Sequence, residues 1–382
     1  MNMLTKIGAH SMRFDWLLGG AIIFLFVMGL LTLFGSTASH DEFYKQLLFG
    51  IVAAGMLFGT SLLDYRLFRD HRPLLIALYI LGVGLLAGLL LFGSPIRGVA
   101  GWYSLGPITV QPVEIFKIIL LLVFAKYFSS RHIELYRLRH LFISGLYVIF
   151  PVLLVMAQPD LGSAVVLLVA WIGIVIMSGI AVRQFLLIVL AGIIAASLLW
   201  SYGLQPYQRE RIVHFTSPET DPLGGSYQTR QALIALGSGG LFGKGLGEGT
   251  QTRLGFLPEF ETDFIFSAIG EEWGFVGVLL VLSAWALIFW RLYVIWLDAS
   301  NNFARLFVGG MMIVLATHVM LNISANLGLL PVTGLSLPFV SAGGSNLLSM
   351  AIGMGLVFSI RVRSTLPREF IGERVEEVEL SS

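Results

Sequence analysis

Residues 74–92 read LLIALYILGVGLLAGLLLF and carry no charged side chain. At about 1.5 Å of rise per residue, that stretch makes a helix about as long as the ~30 Å hydrocarbon layer of a bilayer is thick. It is apolar all round, so no face is left for water. Comparable stretches recur on both sides of it, at 16–34, 47–63, 113–128, 141–157, 162–180, 185–202, 273–295, 306–323 and 347–360. With 56% hydrophobic and 12% charged residues among 382, the chain has too little polar surface to cover a soluble globule. The sequence therefore predicts an all-α polytopic membrane protein with about ten transmembrane helices. It predicts a single domain over 1–382, with a long extracellular loop at approximately 203–264 between the seventh and eighth helices. Ser36 to Ala38 would suit a signal peptidase, but the preceding apolar stretch exceeds a signal-peptide core, which favours a retained anchor.

Charge and cysteine usage exclude several function classes. A formal net charge of +1 argues against binding nucleic acid or another polyanion. With no cysteine, disulfides, thiolate catalysis and zinc–thiolate sites are excluded. Basic residues fall on one side of the membrane: Lys6 and Arg13, the Arg66/Arg69/Arg72 turn, Lys126 with Arg131 to Arg139, Arg183, Arg291, Arg305 and the tail from Arg361. The short loops opposite hold only Lys45, Arg97 and Lys117. By the positive-inside rule both termini are expected in the cytoplasm.

The outer face holds the unusual sequence, at 93–112, 158–163, 203–264 and 325–346, and function is expected there. Gln111-Pro112-Val113-Glu114-Ile115-Phe116-Lys117 opens the fourth span, with Glu114 and Lys117 three apart on one face. Glu114 suits the positive helix N-terminus and Lys117 can snorkel to water. A lysine in the first turn nevertheless opposes the helix dipole, and charge inside a membrane usually faces a partner or cavity. QPDLGS at 158–163 is a tight turn in which Asp160 is either a helix cap or a contact to substrate or metal.

In the long loop, Arg209 and Arg211 precede GSGGLFGKG at 237–245, which contains Lys244. Basic side chains beside exposed backbone amides suit a phosphate, and solvated loop charge is the alternative. The glycines match no nucleotide-binding signature. FLPEFETDFIF at 256–266 concentrates acid at a lipid boundary, with Glu271 and Glu272 shortly beyond. Thr262 or Asp263 can cap the incoming helix. The same carboxylate, in low-dielectric surroundings, can also take a proton as a general base.

Taken in order, QPVEIFK (111–117), QPDLGS, GSGGLFGKG, LPEFETDFIFSAIGEEWG (257–274) and LLPVTGLSLPFVSAGGS (329–345) resemble the SEDS (shape, elongation, division, sporulation) cell-wall glycosyltransferases. The resemblance covers nearly the whole chain. DPLGGSYQ (221–228) and GKGLGEGTQTRLGFLPE (243–259) are more similar to the RodA branch than to FtsW. It implies a lipid II polymerase, in which a saccharide 4-hydroxyl attacks the anomeric carbon of another lipid-linked unit and releases undecaprenyl pyrophosphate. Asp263 occupies the family's essential aspartate position, and Glu114 and Lys117 the acidic and basic positions that organise its cavity. Arg209, Arg211 and Lys244 are then candidate pyrophosphate contacts, and Asp160 a further cavity residue. Asp263 and Glu261 are candidate ligands for a divalent cation, Mg²⁺ or Mn²⁺; neither nucleotide nor haem is expected. The implied partners are lipid II, a class B penicillin-binding protein transpeptidase and the elongation machinery, in a bacterial cytoplasmic membrane. Val113, Glu261 and Ala342 depart from the family's usual Ser, His and Tyr. Competing functions are a flippase or transporter of a lipid-linked precursor, the division-type polymerase, and a non-catalytic scaffold.

Overall fold

The computed structural model describes residues 14–35, 40–96, 98–106, 108–130, 138–203, 209 and 225–364. Helix α1 (Trp16–Gly35) is fixed at its start by Asp15, which accepts the Leu18 amide at 3.1 Å and pairs with Arg291 at 2.6 Å. Next come α2 (His40–Leu62), the short α3 (Arg66–Asp70) and α4 (Arg72–Phe92), with a proline in the first turn of α4 where its missing N–H is no loss. Strands β1 (Ser94–Ile96), β2 (Val99–Leu105) and β3 (Ile108–Val110) then form an antiparallel sheet in that order. This region is not the plain loop its glycine and proline content suggests, because Val99, Trp102, Tyr103, Ile108 and Val110 favour extended backbone.

Helices α5 (Pro112–Ser129), α6 (Leu138–Ala157), α7 (Leu161–Met177) and α8 (Val182–Leu198) follow, the last running into a π-helical turn at Leu199–Gly203. The long loop contains α9 (Gly225–Ser238) and α10 (Thr250–Arg253), so its described part is substantially helical. Helices α11 (Ile265–Leu297), α12 (Asn302–Asn326) and α13 (Gly344–Ser364) complete the described chain.

Eight of these helices, α1, α2, α4, α6, α8, α11, α12 and α13, are long and apolar enough to cross a membrane. Two further apolar stretches of the sequence form α5 and α7. Helix α5 carries Glu114, Lys117 and Lys126, and α7 is apolar but only 17 residues long. The chain is thus an all-α polytopic membrane protein. Helices α12 and α13 lie at its centre, whereas α8 buries only Gln184 and Ile188 and leaves the rest of its apolar surface for lipid. Helix α5 packs between α4, α12 and α13, so its charged first turn is carried into the interior. Helix α13 also crosses α2 closely: a Cβ at Gly355 would overlap the Thr60 hydroxyl and the Leu57 carbonyl.

Helix α11 starts before the apolar stretch that announces it and is broken at Gly274 (φ 65°, ψ −161°). The break leaves backbone groups without helical partners, and the 239–245 loop supplies them. Lys244 and Gly245 N–H donate to the carbonyls of Glu271 and Glu272, both at 3.0 Å. Phe275 and Val276 N–H donate in return to the Gly240 and Leu241 carbonyls, at 2.9 and 3.1 Å. The expectation of loop amides open to a phosphate is corrected here, since these two amides are consumed in closing the helix break.

Candidate functional site

The site is built on the turn that precedes α11. Leu257, Phe260 and Phe264 are buried in a satellite cluster with Ala232 and Ala235 of α9 and Ala268 of α11. Burying these apolar side chains, spaced three and four apart, leaves Thr262 and Asp263 to line a cavity. The turn is held through its backbone. Ala342 N–H donates to the Glu261 carbonyl at 2.8 Å, and Ser341 Oγ to the Thr262 carbonyl at 2.6 Å. The Asp263 carbonyl accepts from Asn322 Nδ2 at 3.0 Å and from Asn326 Nδ2 at 2.9 Å. Glu261 and Ala342, two of the positions that depart from the family pattern, thus meet at one hydrogen bond.

Asn326 settles the capping question raised by the sequence. The cap residue of α11 is Phe264, which offers no side-chain acceptor, and the Ser267 amide donates to Asn326 Oδ1 at 3.0 Å. Ser267 Oγ donates to the same oxygen at 2.7 Å. The cap therefore comes from α12, which corrects the expectation that Thr262 or Asp263 provides it.

The cavity has a volume of about 420 Å³ and lies between this turn, the 333–346 segment, the start of α2 and the first turn of α5. Its lining includes Asp263, Glu114 and Asp160, so three of the sequence-derived site residues converge. Glu114 is nearly fully buried, and its Oε2 accepts from Lys117 Nζ at 2.8 Å and Asn346 Nδ2 at 2.8 Å. Lys117 Nζ also lies 2.9 Å from His318 Nε2, while His318 Nδ1 is 3.3 Å from the Ser336 carbonyl. A carbonyl only accepts, so the imidazole proton sits on Nδ1 and Nε2 receives the lysine's proton donor. Asn346, Glu114, Lys117 and His318 form one continuous buried network, ending on the Ser336 backbone. Snorkelling of Lys117 to water is corrected: its ammonium points inward to two partners.

Asp160 takes the capping role of the two readings, and it also faces the cavity. It caps α7 by accepting the Ser163 amide at 2.9 Å and Ser163 Oγ at 2.7 Å, and it lines the cavity, where Gln111 Nε2 donates to it at 3.1 Å. Burial pushes its carboxyl above the ordinary aspartate range, opposed by the Ser163 hydrogen bonds.

Two of the three basic residues expected from the long loop are placed elsewhere. Lys244 pairs with Glu271 at 2.7 Å and does not line the cavity. Arg209 Nη2 donates to the Ser201 carbonyl at 3.1 Å and is likewise absent from the lining, while Arg211 lies outside the described residues. Glu271 also accepts the Gln251 and Thr252 amides at 2.9 and 3.2 Å, so it organises the first turn of α10. Among the described residues no group of three or more His, Cys, Asp or Glu side chains forms a metal site; of the two expected ligands, Asp263 lines the cavity and Glu261 does not.

Sequence reasoning passed over several site residues. His318, Asn322 and Asn326 recur every four residues on one face of α12, and polar groups within an apolar helix were the available signal. Lys45 stands only among the few basic residues of the short loops, and Gln46 carries no sequence signal.

Comparison with known proteins gives the chain's family. Residues 10–366 match the FtsW/RodA/SpoVE family, described as cell cycle protein. The peptidoglycan glycosyltransferase MrdB of Escherichia coli K12 is 37% identical over 330 residues, 85% of this chain and 87% of the relative. A solved structure of a peptidoglycan synthase complex that coordinates polymerization and crosslinking superposes with a TM-score of 0.77 at 31% identity, covering 93% of this chain and 99% of that one. The rod shape determining protein RodA of Thermus thermophilus gives a TM-score of 0.70 at 30% identity, covering 93% and 98%. The chain belongs to the FtsW/RodA/SpoVE family.

Proposed function

We propose that the chain is a peptidoglycan glycosyltransferase that polymerises lipid II into glycan strands during cell elongation. The observation that carries the reading is Asp263, which lines one cavity together with Asp160 and with Glu114, itself fixed by Lys117 and Asn346. A sugar 4-hydroxyl is a weak nucleophile. The Asp263 carboxylate takes its proton as the oxygen attacks the anomeric carbon of the lipid-linked donor. The carbon–oxygen bond to the diphosphate then breaks, and the polyprenyl diphosphate leaves with the electron pair. Positioned proton removal of this kind contributes about 10²- to 10⁴-fold. A Mg²⁺ or Mn²⁺ ion, which usually takes one or two carboxylates alongside substrate oxygens, would have Asp263 as its ligand in the cavity lining, with Glu261 two residues away in sequence, and would supply charge neutralisation.

The same reading places the protein in the bacterial cytoplasmic membrane with both termini inside, its cavity opening outward and a class B penicillin-binding protein beside it. Similarity to a synthase complex that couples polymerization to crosslinking supports that partner. The test uses purified protein and lipid II in detergent. Glycan chains support the polymerase, whereas precursor movement across liposomes without polymer supports a flippase.

A further inference from the structure

A reaction that expels a diphosphate needs positive charge where the leaving group sits. The cavity described above is acidic: Glu42, Glu114, Asp160 and Asp263 all line it. Among the described lining residues, Lys45 is the single basic side chain. Of the other cations considered, Lys117 is committed to Glu114 and His318, Lys244 to Glu271 and Arg209 to a backbone carbonyl, while Arg211 lies outside the described residues.

Lys45 is also positioned by built structure. Its neighbour Gln46 is buried; Gln46 Nε2 donates to the Ser341 carbonyl at 3.0 Å, and its Oε1 accepts the Gly343 amide at 3.3 Å. These bonds tie the first turns of α2 to the same segment that clamps Glu261 and Thr262, and Lys45 lines the cavity together with Asp263. Its Nζ lies 2.6 Å from Glu42 Oε1 and within the fields of Asp41 and Glu261. That ion pair is solvent-exposed, and exposed pairs hold weakly. The ammonium can therefore exchange Glu42 for a phosphate oxygen at little cost.

We propose that Lys45 is the diphosphate-binding cation of this cavity, receiving the diphosphate of a lipid-linked substrate and stabilising it as it leaves. The identity of that lipid rests on the polymerase reading, but the need for a diphosphate to meet a cation does not. In the reaction above Lys45 forms no covalent bond; it donates hydrogen bonds to phosphate oxygens as the broken carbon–oxygen bond delivers its electron pair to them.

The test measures binding of farnesyl diphosphate and of inorganic diphosphate to the full-length protein in detergent, alongside lipid II polymerisation, for wild type, Lys45→Gln and Lys45→Arg. Because the side chain is exposed, both variants are expected to fold, as thermal unfolding will show. Lys45→Gln should weaken farnesyl diphosphate binding about 10- to 100-fold, the usual worth of a charge-assisted contact. Lys45→Arg should stay within about fivefold of wild type, since a guanidinium also binds phosphate. Equal binding by wild type and Lys45→Gln overturns the proposal, as does failure of the wild type to bind either probe. Dependence on Lys45 for inorganic diphosphate but not for the farnesyl compound overturns it too. If the wild type makes no glycan yet binds farnesyl diphosphate through Lys45, the polymerase reading fails and the inference stands. If Lys45→Gln polymerises and binds as wild type does, the inference fails and the polymerase reading stands.

Discussion

Glu114 and Lys117 are neutral only together. Each is almost fully enclosed, so removing one strands an opposite charge without water, at a cost of about 3–5 kcal/mol. Glu114→Gln and Lys117→Met should each lower the thermal unfolding midpoint in detergent sharply, and the double variant should lose less than the two losses summed. Strict additivity would show that the two side chains act independently. His318 extends the same test. Glutamine can accept from Lys117 and donate to the Ser336 carbonyl, so His318→Gln should be milder than His318→Leu, which leaves both partners unpaired. Asp160 divides differently, because its cap and its place in the cavity are separable. Asp160→Asn keeps an acceptor for the Ser163 amide, whereas Asp160→Ala loses the cap and should cost about 1 kcal/mol more.

At the level of elements, the break in α11 and the glycine loop that fills it form one unit. Gly274 has φ 65°, and a Cβ there would overlap the Gly243 amide nitrogen and the Leu241 carbonyl. Gly274→Ala should therefore destabilise the protein by more than the ~1 kcal/mol usual for an unfavourable backbone alone. Thermal unfolding of the purified variant checks this, and a wild-type midpoint would mean that the loop does not close on the helix as described. The apolar helices were legible in the sequence because a bilayer demands long uncharged runs, which composition reports directly. The sheet at 94–110 and helix α9 were not, since both sit in glycine-rich outer segments and are held by packing partners distant in the chain. The site was half legible. Charged residues within an apolar stretch announced Glu114 and Lys117, and acid concentrated at a lipid boundary announced Asp263, but Asn326 as the cap of α11 depends on a contact 59 residues away in sequence. The stripe of His318, Asn322 and Asn326 was open to a reading by helical periodicity. Lys45 was not, because a lysine near a helix start looks like any solvated charge until the cavity beside it is known.

The whole molecule converts these local arrangements into a catalyst only if the cavity opens on the side where the substrate arrives. The proposed orientation, with the termini inside and the 203–264 loop outside, follows from basic-residue asymmetry. In this cysteine-free background, single cysteines at Ser226 and Ser382 should react with membrane-impermeant reagents from opposite sides, and labelling of both from outside would reverse that topology. The central claim is that Asp263 performs chemistry in a cavity that other residues hold in shape. Asp263→Asn retains the side chain's size and leaves untouched the backbone carbonyl on which Asn322 and Asn326 hold, so folding should survive. The decisive measurement is glycan formation from lipid II by wild type and Asp263→Asn at matched, folded concentrations. A loss of about 10²-fold or more with an unchanged unfolding midpoint is the predicted result. Near-normal turnover in the asparagine variant would contradict the account.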